Sequence, residues 1–247
     1  FLLANILITQ KKLNEAEKPL RETISLNPNY FLAYLNLGNV LKEQGQVKEA
    51  EVCMRKAIQL KPAYAIAHLN LGIILEDLNQ LKDAELSTRK AIKLNPNLPE
   101  AYNNLANIMI EKNQYEEAQI LTHKSIELNP NIADAYFNLG IILTEQGKLK
   151  QAEINTKKGL EINPNNFRGH NILATIMIEI EKYDIAEISS RKAIELNPDN
   201  PIAYCNLSNI FRAYGKIKES EMSIYKALKI EPNLTKAYFN LSILQTS

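Results

Sequence analysis

With 247 residues, 45% of them hydrophobic and 23% charged, the chain can bury a core and reads as folded rather than disordered. A balance of 29 Lys plus Arg against 28 Asp plus Glu excludes a global field that would draw it to nucleic acid or to a membrane surface, so any functional charge is local. No run approaches the roughly 18 apolar residues that a membrane span requires.

In chain order, the first segment, FLLANILI, has neither a basic flank nor a small-residue cleavage site, and reads as the middle of a helix in a piece of something longer. FLAYLNLGNVLKEQ (31–44) and VKEAEVCMRKAIQL (47–60) each space apolar residues three and four apart. Two amphipathic helices are predicted, with Gly45 closing the first in the left-handed conformation. Pro62 then stops the second, because proline lacks an N–H and displaces its predecessor from helical angles.

From there the chain repeats itself. Pro28, Pro62, Pro96, Pro130, Pro164, Pro198 and Pro232 recur at a constant interval of 34 residues. In the same register stand Tyr34, His68, Tyr102, Tyr136, His170, Tyr204 and Tyr238, then Leu37 and its equivalents to Leu241, then Gly38, Gly72, Ala106, Gly140, Ala174, Ser208 and Ser242. Two further small columns run from Ala50 to Ser220 and from Ala57 to Ala227, and let helix axes approach at the short end of the usual roughly 8–10 Å. The turn between helices holds Gly45, Asn79, Asn113, Gly147 and Gly215, but Glu181 in the fifth period.

Aromatic, Leu, Gly, Ala, Ala and Pro at these offsets resemble the tetratricopeptide repeat family over nearly the whole chain. The departures are His68 and His170 at the aromatic position, and Gly159 and Ser220 at the alanines. The expected fold is all-α, an open right-handed superhelical solenoid of antiparallel helix pairs. Six repeats are expected at 31–64, 65–98, 99–132, 133–166, 167–200 and 201–234, preceded by a partial one at 1–30 and followed by a partial one at 235–247. The resemblance implies that first helices line a concave groove and second helices form the convex wall.

Asn36, Asn70, Asn104, Asn138, Asn206 and Asn240 share one register that Ile172 alone interrupts, and Asn5, Asn39, Asn107 and Asn209 follow three residues later on the same helical face. The family places this column on the groove wall, so its side chains are expected to face an open groove rather than the packed seam. An Asn amide carries one acceptor and two donors and can grip a peptide unit by its C=O and N–H together. Rungs roughly 10 Å apart would meet about every third residue of a strand rising about 3.3 Å per residue. The pattern is similar to the asparagine-lined groove of the repeat domain in O-linked N-acetylglucosamine transferases, which implies backbone recognition of extended ligands. The same amides could equally bond one another or water. Seven residues further along stand Glu43, Asp77, Glu111, Glu145 and Glu179, an acidic rail that suits basic groups on a ligand or a solvated rim. Nearby, Leu32, Leu35, Ile66 and Leu69 give way to Glu100, Asn103, Asp134 and Phe137, a mixed lining that favours a partly apolar ligand.

On the second helices, Lys56, Lys90, Lys124, Lys158, Lys192 and Lys226, with pairs such as Glu51 and Arg55, read as a solvated convex side. His68, His123 and His170 read as structural. Cys53 and Cys205 read as small buried apolar groups, which suits a reducing compartment and hence the cytoplasm. No phosphate loop, metal spacing or nucleophile constellation is present, so no catalysis, metal or cofactor is expected. Leu35, Leu69, Asn103, Phe137, Asn171 and Cys205 fill the column where family members that clamp chaperone tails carry a lysine, which argues against that role. Three readings follow: a scaffold binding extended peptides of a protein partner, the substrate-recruiting arm of a larger glycosyl or sulfo transferase, and an assembly scaffold using the convex face. Ile172, Glu181 and Ile185 predict a local irregularity in the fifth repeat. FLLANILI and AYFNLSIL, left without capping helices, predict end-to-end self-association.

Overall fold

A 34-residue period with two apolar stripes can bury neither stripe alone, and each helix must therefore find its partner in the neighbouring pair. In a computed structural model of the chain, which describes residues 1–245, this produces fifteen helices and no strand among the described residues. They are α1 (Leu2–Thr9), α2 (Leu13–Leu26), α3 (Phe31–Glu43), α4 (Val47–Leu60), α5 (Ala65–Asp77), α6 (Leu81–Leu94), α7 (Pro99–Glu111) and α8 (Tyr115–Leu128) in a first compact unit. A second unit holds α9 (Ala133–Glu145), α10 (Leu149–Ile162), α11 (Phe167–Glu179), α12 (Tyr183–Leu196), α13 (Pro201–Ala213), α14 (Ile217–Ile230) and α15 (Thr235–Gln245).

The turn inside each pair is the same device seven times. Gln46 N–H donates to the Leu41 carbonyl at 2.8 Å and Gly45 N–H to the Lys42 carbonyl at 2.9 Å, the double bond that closes a helix on a left-handed residue. Gly45, Gly147 and Gly215 take φ near +70 to +78°, and Asn79 and Asn113 take +57°. The fifth repeat shows no irregularity here. Glu181 takes φ +59°, and Lys182 N–H reaches the Met177 carbonyl at 2.8 Å. The packed helices on either side dictate the turn, and Glu181 accepts a backbone region that costs a side chain with a Cβ roughly 1–2 kcal/mol.

Between pairs, the Asn-Pro-Asn turn is held by its first side chain. Asn27, Asn95, Asn129 and Asn197 each accept a bond at Oδ1 from the N–H two residues on, at 3.0–3.2 Å, bridging the proline that cannot donate. The aromatic column braces the same turn. His68 and His170 Nε2 lie 2.8 and 2.9 Å from the Pro62 and Pro164 carbonyls, and Tyr238 donates its hydroxyl to the Pro232 carbonyl at 3.0 Å. His replaces Tyr because either ring reaches the carbonyl six residues back.

Within the first unit α3 touches α5 and α5 touches α7; within the second, α9, α11, α13 and α15 form the same close row. Second helices are instead bridged by long side chains, as in Arg21 to Glu49 and Arg89 to Glu117, both 2.6 Å. First helices thus pack more closely on one another than second helices do. The alanine columns are fully buried in the seams, and the serines of the sixth full repeat satisfy each other, Ser220 Oγ donating to the Ser208 carbonyl at 2.8 Å.

Candidate functional site

The asparagine column does not lie in the open. Asn104, Asn138, Asn206 and Asn240 are 5%, 1%, 1% and 4% exposed, and only Asn36 and Asn70 stand half-buried. The reason is the close approach of successive first helices, which leaves an amide just long enough to cross from one to the last. Asn36 Nδ2 donates to Asn5 Oδ1 at 2.8 Å, and Asn70 Nδ2 to Asn39 Oδ1 at 2.9 Å. Asn240 Nδ2 reaches the Cys205 carbonyl at 3.2 Å. Asn104 is engaged at both ends of its amide: Oδ1 accepts from Thr88 Oγ1 at 2.7 Å and Nδ2 donates one N–H to Glu76. In such dry seams an unmade bond would cost more than a made one gains, so these amides first of all tie the row together.

The second amide column is more accessible, with Asn39 exposed and Asn107 and Asn209 half-buried. Asn5, Asn36, Asn39 and Glu43 come together with Ile8 and Val40 around a cavity of about 300 Å³ in the first unit. Each bonded amide pair there still offers N–H donors on one member and a carbonyl on the other. In the fifth repeat the missing rung at Ile172 is made up beside it: Asn206 Nδ2 donates to the Asn171 backbone carbonyl at 3.4 Å and to Thr175 Oγ1 at 3.3 Å. Asn107 Oδ1 and Asn171 Oδ1 are buried with no hydrogen-bond partner.

The acidic rail is exposed throughout, at Glu43, Asp77, Glu111, Glu145 and Glu179. Lys42 Nζ lies 3.5 Å from Asp77 and 3.7 Å from Glu43. Burial, and then the neighbouring Glu145 carboxylate, push the Glu179 carboxyl above its ordinary range, against an opposing pull from Lys236. Burial likewise drives the Cys53 and Cys205 thiols up to about 11 and keeps them unreactive.

One surface feature has no counterpart in the sequence reading. Val52, Leu86 and Ile120 in the first unit, and Ile154, Ile188 and Met222 in the second, stand 59–70% exposed on second helices. They recur every 34 residues, two positions after the buried Ala50 column, which is about 200° round a helix and so on its outer side. That interval was the available signal; the lysines beside it drew the outer wall as merely charged. Among the described residues no His, Cys, Asp and Glu cluster could hold a metal ion, and no helix is long and apolar enough to cross a membrane.

Family profiles described as tetratricopeptide repeat match residues 20–52, 65–98, 88–120, 133–166, 167–200 and 191–222, and one described as TPR repeat matches 38–79. No match was found among curated proteins. Among solved structures, a chain of the APC/C hetero-tetramer Cut9–Hcn1 superposes at a TM-score of 0.88 with 14% identity over 98% of this chain, which spans 48% of that one. A tetratricopeptide repeat protein from Parabacteroides merdae ATCC 43184 gives 0.75 at 17% identity, covering 98% of this chain and 96% of its own. YrrB, described as a TPR protein with an unusual peptide-binding site, gives 0.52 at 22% identity, covering 76% and 97%. With its 34-residue period, its repeated helix pairs and these profile matches, the chain belongs to the tetratricopeptide repeat family.

Proposed function

We propose that this chain holds an extended segment of a protein partner along its first-helix faces and grips the peptide backbone through paired asparagines. Tetratricopeptide repeats generally act as protein-interaction scaffolds, and YrrB, similar in fold, is described as carrying a peptide-binding site. The observation that carries the reading is the cavity where Asn5, Asn36 and Asn39 meet beside Ile8 and Val40. There a bonded amide pair presents the donor and acceptor that a peptide unit needs, next to an apolar wall for a side chain. The likeness to the asparagine-lined groove of O-linked N-acetylglucosamine transferases is part of this proposal, with pairs of amides taking the place of single rungs. Glu43, Asp77, Glu111, Glu145 and Glu179 then form the rim.

Each bond to a peptide contributes a net ~0.5–1.5 kcal/mol, and ordering a flexible ligand cancels much of the sum, so affinities near micromolar, roughly −8 kcal/mol, are expected. Replacing Asn5, Asn36, Asn39 and Asn70 together with Ala weakens unrelated peptides from a random display library alike, by tenfold or more, with helicity unchanged by circular dichroism. Asn104 is left out because its bonds lie inside the stack. Equal affinity of parent and variant for every selected peptide would refute the reading.

A second reading, assembly through the convex face, is favoured by the exposed Val52, Leu86 and Ile120 column and its counterpart Ile154, Ile188 and Met222. Surfaces rarely leave aliphatic side chains in register uncovered. Leu86→Asp with Ile120→Asp separates the two readings: it leaves peptide binding intact under the first and abolishes capture of a folded partner under the second.

A further inference from the structure

On the first-helix face of the second unit a cavity of about 140 Å³ opens between α9, α11 and α13. Its walls are Ile141, Ile172 and Ile202, and its polar edge is Glu145, Asn171 and Thr175. Two independent features make the edge hungry for a donor. Asn171 is 9% exposed and its Oδ1 has no hydrogen-bond partner, which leaves a buried acceptor unsatisfied. Glu145 has no ion pair among the described residues and repels Glu179 one repeat on.

The cation that faces these acids is committed elsewhere. Lys236 Nζ, on α15, donates to Asn206 Oδ1 at 3.2 Å and acts on Glu179 only at longer range. The contrast with the first unit is direct, since there Lys42 lies within 4 Å of both Glu43 and Asp77. One end of the acidic rail is neutralised by the protein itself. The other is not.

We infer that this cavity takes an arginine side chain of the bound segment, its guanidinium against Glu145 and Glu179 with one N–H on Asn171 Oδ1, its methylenes between Ile141, Ile172 and Ile202. Arginine fits better than lysine because its guanidinium is weakly hydrated and carries five donors in a rigid fork, enough to serve two carboxylates and an amide at once, whereas an ammonium loses a tighter water shell on entering an apolar-walled site. Its stem covers isoleucine surface while its head stays at the rim. The inference rests on the proposal that peptides lie along the first-helix faces, and adds a side-chain preference at one place.

The test uses the whole chain and four extended nonapeptides of one alanine- and serine-based sequence, with arginine, lysine, citrulline or norleucine at the centre, read by fluorescence anisotropy. Citrulline keeps three of the five N–H donors without the charge; norleucine keeps only the stem. The arginine peptide is expected to bind about tenfold tighter than citrulline and more tightly than lysine, with norleucine weakest. Glu145→Gln with Glu179→Gln should collapse arginine onto citrulline. Asn171→Ala should weaken the arginine and citrulline peptides and leave norleucine unchanged. Glu43→Gln with Asp77→Asn, the same charge change in the first unit, should leave the arginine preference intact. Equal binding of arginine and citrulline peptides, with the asparagine replacements still lowering both, would overturn this inference and leave the backbone-binding reading standing. Equal loss from the two acid-pair variants would overturn it in favour of unspecific attraction. If none of the four peptides bound, both readings would fall.

Discussion

Asn104 and Asn36 share a column and differ in what they have left to give. Asn104 spends its carbonyl on Thr88 and its amide on Glu76 inside the stack, while Asn36 hands one N–H to Asn5 beside a cavity. The register sets which face a residue occupies, but the depth of the neighbouring helix decides whether its hydrogen bonds are internal. Glu181 raises the same question for backbone. Its φ of +59° costs roughly 1–2 kcal/mol, and glycine there would give back about 0.5–1 kcal/mol through its freer unfolded state. Glu181→Gly is therefore expected to stabilise the chain by up to about 1 kcal/mol, seen as a higher denaturation midpoint, and Glu181→Ala to give no such gain. A lower midpoint for the glycine variant would show that the side chain compensates for the strain.

At the scale of the element, helices in this fold are matched in pairs and cannot be changed singly. The alanine column is broken by Gly159, where a Cβ would lie 2.5 Å from the Phe137 ring; at Gly169 it would meet the same ring at the same distance. Phe137, 1% exposed, stands where the first repeats carry Leu35 and Leu69. A large ring on α9 is thus accommodated by losing side chains on α10 and α11. Gly159→Ala alone should destabilise by about 1 kcal/mol, an overpacking cost of roughly 1–3 kcal/mol partly offset by about 1 kcal/mol of helix propensity. Combined with Phe137→Leu, the alanine should become favourable, giving a coupling of at least ~1 kcal/mol in a double-mutant cycle of urea denaturation. Strictly additive effects would mean that the ring moves aside without cost.

For the 247 residues as a whole, near-neutral net charge provides little repulsion between copies, and apolar side chains are exposed on α1 and α15. Leu2 and Leu3 are 75% and 58% exposed, and Tyr238 and Phe239 are 53% and 62% exposed. Unlike ends that meet do not close on themselves, so the contact can propagate. The 247-residue chain is expected to self-associate with rising concentration in sedimentation equilibrium, and Leu2→Lys with Phe239→Lys to abolish this. A single monomeric species throughout the concentration series would refute it. The same experiment on Leu86→Asp distinguishes the ends from the exposed second-helix column.

The all-helical class, the helix pairs and their turns were legible because they depend on local spacing and on a period that repeats. Pro28 to Pro232 marks where second helices stop, and the Gly45 column marks where first helices turn. Even Glu181, which reads as a break in that column, follows its neighbours because packed helices on both sides leave the chain one path. The burial of the asparagine column was not legible, since it depends on how near one first helix lies to the last, a distance that no single repeat encodes. The exposed Val52 to Met222 column carries its own 34-residue signal, yet only the packing of α4, α6, α8, α10, α12 and α14 shows it uncovered. The compensation of Phe137 by Gly159 and Gly169, and the unpartnered Asn171 beside Glu145, are also tertiary, because they arise where helices of successive repeats close on one volume. Sequence determined the repeating element; the approach of one element to the next decided which side chains are spent in holding the stack and which remain to meet a partner.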